Sequence, residues 1–170
     1  MRVYIPATLA MLRTFVESGE LIPVSGTAFA VTPMLRESYA VGDTEELEYV
    51  AMNEAARASL RLLAAELDGD LAAHPRRVVF AADVEQVRMR ADLDDAAVTI
   101  SGAVPIFAVA AVHVDLAEAE DAVRAAAAVI DAADLGDPDA EFTLGDAEDH
   151  EMGWYATQEI PFLLEFLCDP

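Results

Sequence analysis

The stretch Arg76-Arg-Val-Val-Phe-Ala-Ala-Asp83 decides the fold class. Its apolar part, Val78 to Ala82, is continuous rather than alternating and opens with β-branched and aromatic residues, the pattern of a buried strand. Upstream, the spacing predicts a long helix over about Thr44 to Leu67, with Leu47, Ala51, Ala55, Ala58 and Leu62 on one stripe. Met52, Leu60, Leu63 and Leu67 widen that stripe, as suits a helix covering much of a sheet. Asp43 and Glu46 form a capping box, and acidic residues at the start with Arg57 and Arg61 nearer the end suit the helix dipole. Gly26–Thr32 reads as a second buried strand. Thr32-Pro33 then supplies an N-cap with proline at the first helical position, opening a short helix to Tyr39. Arg2–Ile5 is a first strand, followed by a helix with Leu9, Leu12, Phe15 and Val16 on one side and Gly19 at its end.

Downstream, Val98–Ser101 is a short fourth strand, placed at an edge, and Val109–Val114 a fifth. Asp115 and Glu118 read as the capping box of a helix through Ala133. Asp134–Glu141 is an acidic turn, and Phe142 with Leu144 a brief strand. From Asp146 a last helical pattern puts Met152, Tyr155, Phe162, Leu163, Phe166 and Leu167 on one side, with Pro161 kinking or restarting it. Strands alternating with helices in the first half predict crossover units. The expected fold is therefore α/β: one domain over residues 1–170, with a mixed sheet of about five strands, largely parallel in its first half, and helices packed on it.

Composition narrows the chemistry. The 170 residues include no lysine, 10 arginines and 32 carboxylates, for a net charge of −22, while 55% of residues are hydrophobic. Such a chain buries a normal core beneath a negative shell. Lacking lysine, it offers no Schiff base, no pyridoxal-phosphate anchor and no P-loop lysine. Negative charge opposes nucleic acid and anionic membrane surfaces, so neither is an expected partner. The longest apolar run, Ala103 to Val112, is too short for a membrane helix. Pro6, Thr8, Arg13 and Glu17 break up any signal peptide, and the lone Cys168 has no disulfide partner. A cytoplasmic location is the expectation. After Arg124 there is no basic residue and there are twelve acids, with Trp154, Phe162 and Phe166 among them. That surface either meets a basic protein partner or simply serves solubility.

Two constellations could carry chemistry. In a parallel sheet, ligands bind beyond the carboxyl ends of strands. Those ends carry Thr8, Thr32, Asp83 and Asp115, with His113 on the same strand face as Asp115, and these five are the candidate ligand-binding residues. Read blandly, the same threonines and aspartates are N-caps and His113 faces solvent or a helix. The second constellation is Asp146-Ala-Glu-Asp-His-Glu151, followed by Trp154-Tyr155 and Gln158-Glu159. It holds a single histidine where a zincin pattern needs two, and its carboxylates suit a helix start, so no metal site is assigned. The acidic turn fails the calcium-loop pattern because Phe142 stands where glycine is required. His74 gives no signal, and no Gly-x-Ser-x-Gly is present. No cofactor is implied and no catalytic residue is assigned.

Four stretches carry a resemblance: Arg2-Val-Tyr-Ile-Pro-Ala-Thr8, Gly26-Thr-Ala-Phe-Ala-Val-Thr-Pro33, Arg76-Arg-Val-Val-Phe-Ala-Ala-Asp83, and Glu148-Asp-His-Glu to Gln158-Glu-Ile-Pro161. Over essentially its whole length the chain resembles an uncharacterised family of small acidic cytoplasmic proteins from high-GC actinobacteria. The resemblance implies a single cytoplasmic domain and transfers no catalytic residue. The expected function is a non-enzymatic binding or regulatory module, acting through its acidic surface or a strand-end ligand site, with a protein partner or a small ligand. The alternative is a small hydrolase, metal-assisted or not, on Asp83, His113 and Asp115 or on the His150 cluster. A homodimer through the Trp154–Phe166 face is a further expectation.

Overall fold

The computed structural model describes residues 1–39, 42–69 and 73–168. The chain opens with β1 (Arg2–Ala7), α1 (Leu9–Ser18), β2 (Glu20–Leu21), β3 (Thr27–Ala30), α2 (Pro33–Ser38) and α3 (Thr44–Gly69). It continues through β4 (Val78–Asp83), β5 (Val87–Met89), β6 (Ala97–Ile100), β7 (Val104–Pro105) and β8 (Val109–Val114). It closes with α4 (Glu120–Asp134), α5 (Pro138–Glu148), β9 (Gly153–Ala156) and α6 (Ile160–Cys168).

Seven strands form one sheet in the order β5-β6-β3-β1-β4-β8-β9, while β2 and β7 pair separately. Every neighbouring pair is antiparallel. This corrects the expected largely parallel, five-stranded sheet. The physical reason lies in adjacency. A strand–helix–strand pattern governs the direction of consecutive strands but not which strand sits between them. β3 and β4, joined through α2 and α3, do run the same way, since each is antiparallel to β1. β1 lies between them and pairs with both, so the crossover yields no parallel hydrogen bonds. The small pair β2–β7 was also unforeseen. So was β5, which takes the edge that had been expected for the strand at Val98.

Local signals explain most helix starts. Thr8 accepts from the Met11 N–H at 3.3 Å, Thr32 from Leu35 at 3.0 Å, and Asp43 from Glu46 at 2.9 Å, each satisfying a first-turn donor. The tail departs from expectation. Asp137 accepts from the Ala140 N–H at 3.1 Å and Pro138 opens α5, so Phe142 and Leu144 are helical rather than a strand. The helical pattern expected from Asp146 ends at Glu148, gives way to β9, and restarts at Ile160 beside Pro161.

The sheet is covered on both faces. Val3, Ile5, Val78, Phe80, Val112 and Val114 point toward α1, the β2–β7 pair and α6. Tyr4, Phe29, Val79 and Ala81 point toward α2 and the first half of α3. The second half of α3, through Leu60 and Leu63, packs on α4 and α5 around Val123, Ile130 and Leu144. Alanine supplies much of this last interface, which lets the three helices approach closely. Among the described residues no helix is long and apolar enough to cross a membrane.

Candidate functional site

An antiparallel sheet sends successive carboxyl ends to opposite edges, and this divides the five candidate residues. Thr8 and Asp115 lie at one edge, because Ala7 pairs with Val78 and Val78 with Val114. Thr32 and Asp83 lie at the other, since Arg2 pairs with Asp83 and Val3 with Ala30. Asp83 is exposed and forms a fork with Arg2 at 2.8 and 3.1 Å, which holds its carboxyl below the usual carboxylate range. The Thr32 hydroxyl donates to the Asp95 carbonyl and caps α2. Thr8 caps α1 and donates to Glu66 Oε1. Each threonine hydroxyl therefore caps a helix and ties it to a distant segment of the chain.

Asp115 is not the cap expected of it. Its carboxylate is fully enclosed and accepts from the Arg77 N–H at 2.7 Å, from Nε at 2.8 Å and from Nη2 at 2.8 Å. Arg77 Nη2 also donates to the His150 carbonyl at 3.0 Å. This buried pair ties the start of β4 to the end of β8 and to the turn before β9. His113 lies two residues back on the same strand, opposite Val79 and Trp154. It is half-buried, and that burial lowers its pKa below the ordinary histidine value. Among the described residues no hydrogen bond joins it to Asp115. His150 sits in the turn after α5, its N–H donating to the Ala147 carbonyl. Trp154 and Tyr155 belong to β9, so no helix face is shared with His150 or Glu151. Among the described residues no cluster of three or more His, Cys, Asp or Glu side chains is arranged to hold a metal ion.

A cleft of about 700 Å³ opens at the same sheet edge as Asp115 but on the α6 face. One wall is α6 itself, through Phe162, Leu163, Phe166 and Leu167. The polar part of the lining is His74, Arg76, Glu120 and Glu159, with Tyr155 beside them. Arg76 Nε donates to Glu120 Oε2 at 2.8 Å, and Nη1 to the Asp115 carbonyl at 3.3 Å. Asp115 therefore supports the cleft from behind: its carboxylate holds Arg77, and its carbonyl holds Arg76. His74 Nδ1 stands 3.6 Å from the same Glu120 oxygen. Gly153 makes room for Tyr155, since a Cβ there would come within 3.1 Å of that ring.

The arrangement is amphipathic. Its polar wall offers an Arg–Glu pair whose charges cancel, and Glu159 adds a carboxylate that has no cationic partner among the described residues and accepts the Ala156 N–H at 3.2 Å. Its apolar wall is unusually open, with Phe162 72% and Phe166 87% exposed, one turn apart on the same side of α6;. Such a site can bind an apolar surface and orient it through carboxylates. Among the described residues that line it, no hydrogen bond joins a nucleophile to a base. Sequence reasoning missed His74, Arg76 and Glu120 because they come from a loop, a strand start and a helix start. It did place Phe162, Leu163, Phe166 and Leu167 on one helical stripe, which was the available signal, whereas Tyr155, expected on the same stripe, lies on β9.

A protein-family model described as "Family of unknown function" (DUF6912) matches residues 1–164. No curated protein and no solved structure matches the chain.

Proposed function

Since the chain belongs to that family of unknown function, we propose from its own geometry that it is a binding module, engaging a partner through the cleft beside α6. The observation that carries this reading is the pair Phe162 and Phe166, held in water at 72% and 87% exposure on the rim of a cleft. Large apolar side chains scattered singly need no explanation, but two adjacent rings bordering a hollow mark an interaction surface. Covering both rings is worth about 3–6 kcal/mol. Association costs at least about 4 kcal/mol, so the rings anchor a complex but need further contacts, which the carboxylates beside them can supply.

The test uses a neutral solvatochromic dye, Nile red, titrated against the full chain. Saturable binding at one site is expected, weakened at least about tenfold in a Phe162→Ser/Phe166→Ser variant, a loss of about 1.4 kcal/mol. Because both rings are exposed, the variant should unfold at the same temperature as the parent. Dye binding that survives the double substitution unchanged would sink the reading.

A further inference from the structure

We propose, building on that reading, that the occupant of the cleft is a basic amphipathic helix belonging to another protein. The first argument is shape. A pocket built for a small molecule encloses most of it, whereas here the apolar wall is an exposed helix whose two aromatic anchors, Phe162 and Phe166, face outward. An extended surface can cover both at once. A helix laid along α6 would do so with residues at i, i+3 and i+4, the common groove-binding mode.

The second argument is charge. Arg76 is neutralised by Glu120 at 2.8 Å, so the free charges about the cleft are carboxylates. Glu159 lines it, Glu165 stands exposed on α6, and Glu118 stands exposed just before α4. Residues 125–170 hold twelve acids and no arginine or lysine. Against this field an anionic helix, an anionic lipid surface or a second copy of a −22 chain is repelled, while lysine and arginine side chains are drawn in. The partner's apolar face would rest on Phe162 and Phe166, and its flanking cations would meet Glu159 and Glu118.

Three amphipathic peptides of roughly 18 residues, about five turns, test this. They share one leucine face and differ only in a lysine, glutamine or glutamate polar face. A lysine-rich peptide without an apolar face is the fourth probe. Binding to the full chain is followed by fluorescence anisotropy and by displacement of Nile red. The lysine amphipath should bind in the micromolar range, displace the dye, and weaken severalfold between about 50 and 200 mM salt. Glu159→Gln should weaken it about threefold, the scale of one exposed charge pair, and should change the affinity of the neutral dye by less than that factor. Phe162→Ser/Phe166→Ser should abolish it, and the fourth probe should not displace the dye. Equal binding of the glutamate and lysine amphipaths, or lysine-peptide binding that leaves the dye in place, overturns the proposal. If the dye itself fails to bind at Phe162 and Phe166, the cleft reading falls with it. If the dye binds there but the peptides are indifferent to charge, only the basic helix is refuted.

Discussion

Asp115→Ala is the substitution whose consequence the structure determines most sharply. It removes three hydrogen bonds, from the Arg77 N–H, Nε and Nη2 at 2.7, 2.8 and 2.8 Å. The guanidinium left behind is only 4% exposed and keeps one described protein acceptor for its side chain, the His150 carbonyl at 3.0 Å. Breaking a buried pair in this way costs about 3–5 kcal/mol, chiefly because a charge stays buried without its counter-ion. Unfolding entropy of about 2.1 cal/mol/K per residue gives a 170-residue chain about 0.36 kcal/mol/K, so the midpoint should fall by about 8–14 °C. Urea titration followed by circular dichroism should show a lower midpoint at an unchanged slope. The double variant Arg77→Met/Asp115→Leu removes both charges and should recover part of the loss. Recovery should stop short of the parent by about 1–3 kcal/mol, because the Arg77 backbone N–H also loses its acceptor. A cost below about 1 kcal/mol for the single substitution, or no recovery in the double, would refute this account of the pair.

Two further outcomes follow from the fold. Burial lowers the His113 pKa below its usual 6.5, so the unfolded chain takes up a proton at a pH where the folded chain still resists it. Its contribution to stability is therefore fully present above pH 6.5 and is lost as pH falls through the lower folded value. His113→Gln should flatten the fall in urea midpoint below neutrality, and an identical pH slope in the two proteins would contradict it. Gly26 has φ +68°, and a Cβ there would lie 2.6 Å from the Ile100 carbonyl oxygen, on the strand paired with β3. Gly26→Ala should cost at least about 2 kcal/mol in urea unfolding, adding a steric clash to the left-handed penalty. Gly102→Ala, at φ +78° with nothing within 4 Å of the added carbon, should cost only about 1 kcal/mol. Equal losses would show that the approach to Ile100 does not matter.

Local chemistry was legible residue by residue. Thr8, Thr32 and Asp43 cap the helices their spacing announced, and Val78–Ala82 is buried throughout. Where reading failed, the same local rules had been available but outweighed. Asp137-Pro138 is the same signal as Thr32-Pro33, yet the acidic run around it was read as a turn. The cap role expected of Asp115 was overridden by Arg77, a partner 38 residues away. Gly153–Ala156 continued an apparent helical stripe, although its aromatic residues fit a strand equally well and pairing with β8 decided the matter.

By itself the amino-acid order determined what depends on near neighbours and on totals: helix starts, buried strands, the dense negative charge and the apolar stripe of the last helix. Tertiary structure alone decided which strands sit side by side: β1 inserts between β3 and β4 and pairs antiparallel with both. That placement, with β8 antiparallel to β4, sent Thr8 and Asp115 to one edge and Thr32 and Asp83 to the other. It also decided where the cleft would lie, for His74, Arg76, Glu120 and Phe162 share no pattern along the chain. They meet because strand pairing and helix packing fold distant segments onto one edge, and the free energy behind that is burial, which no local spacing encodes.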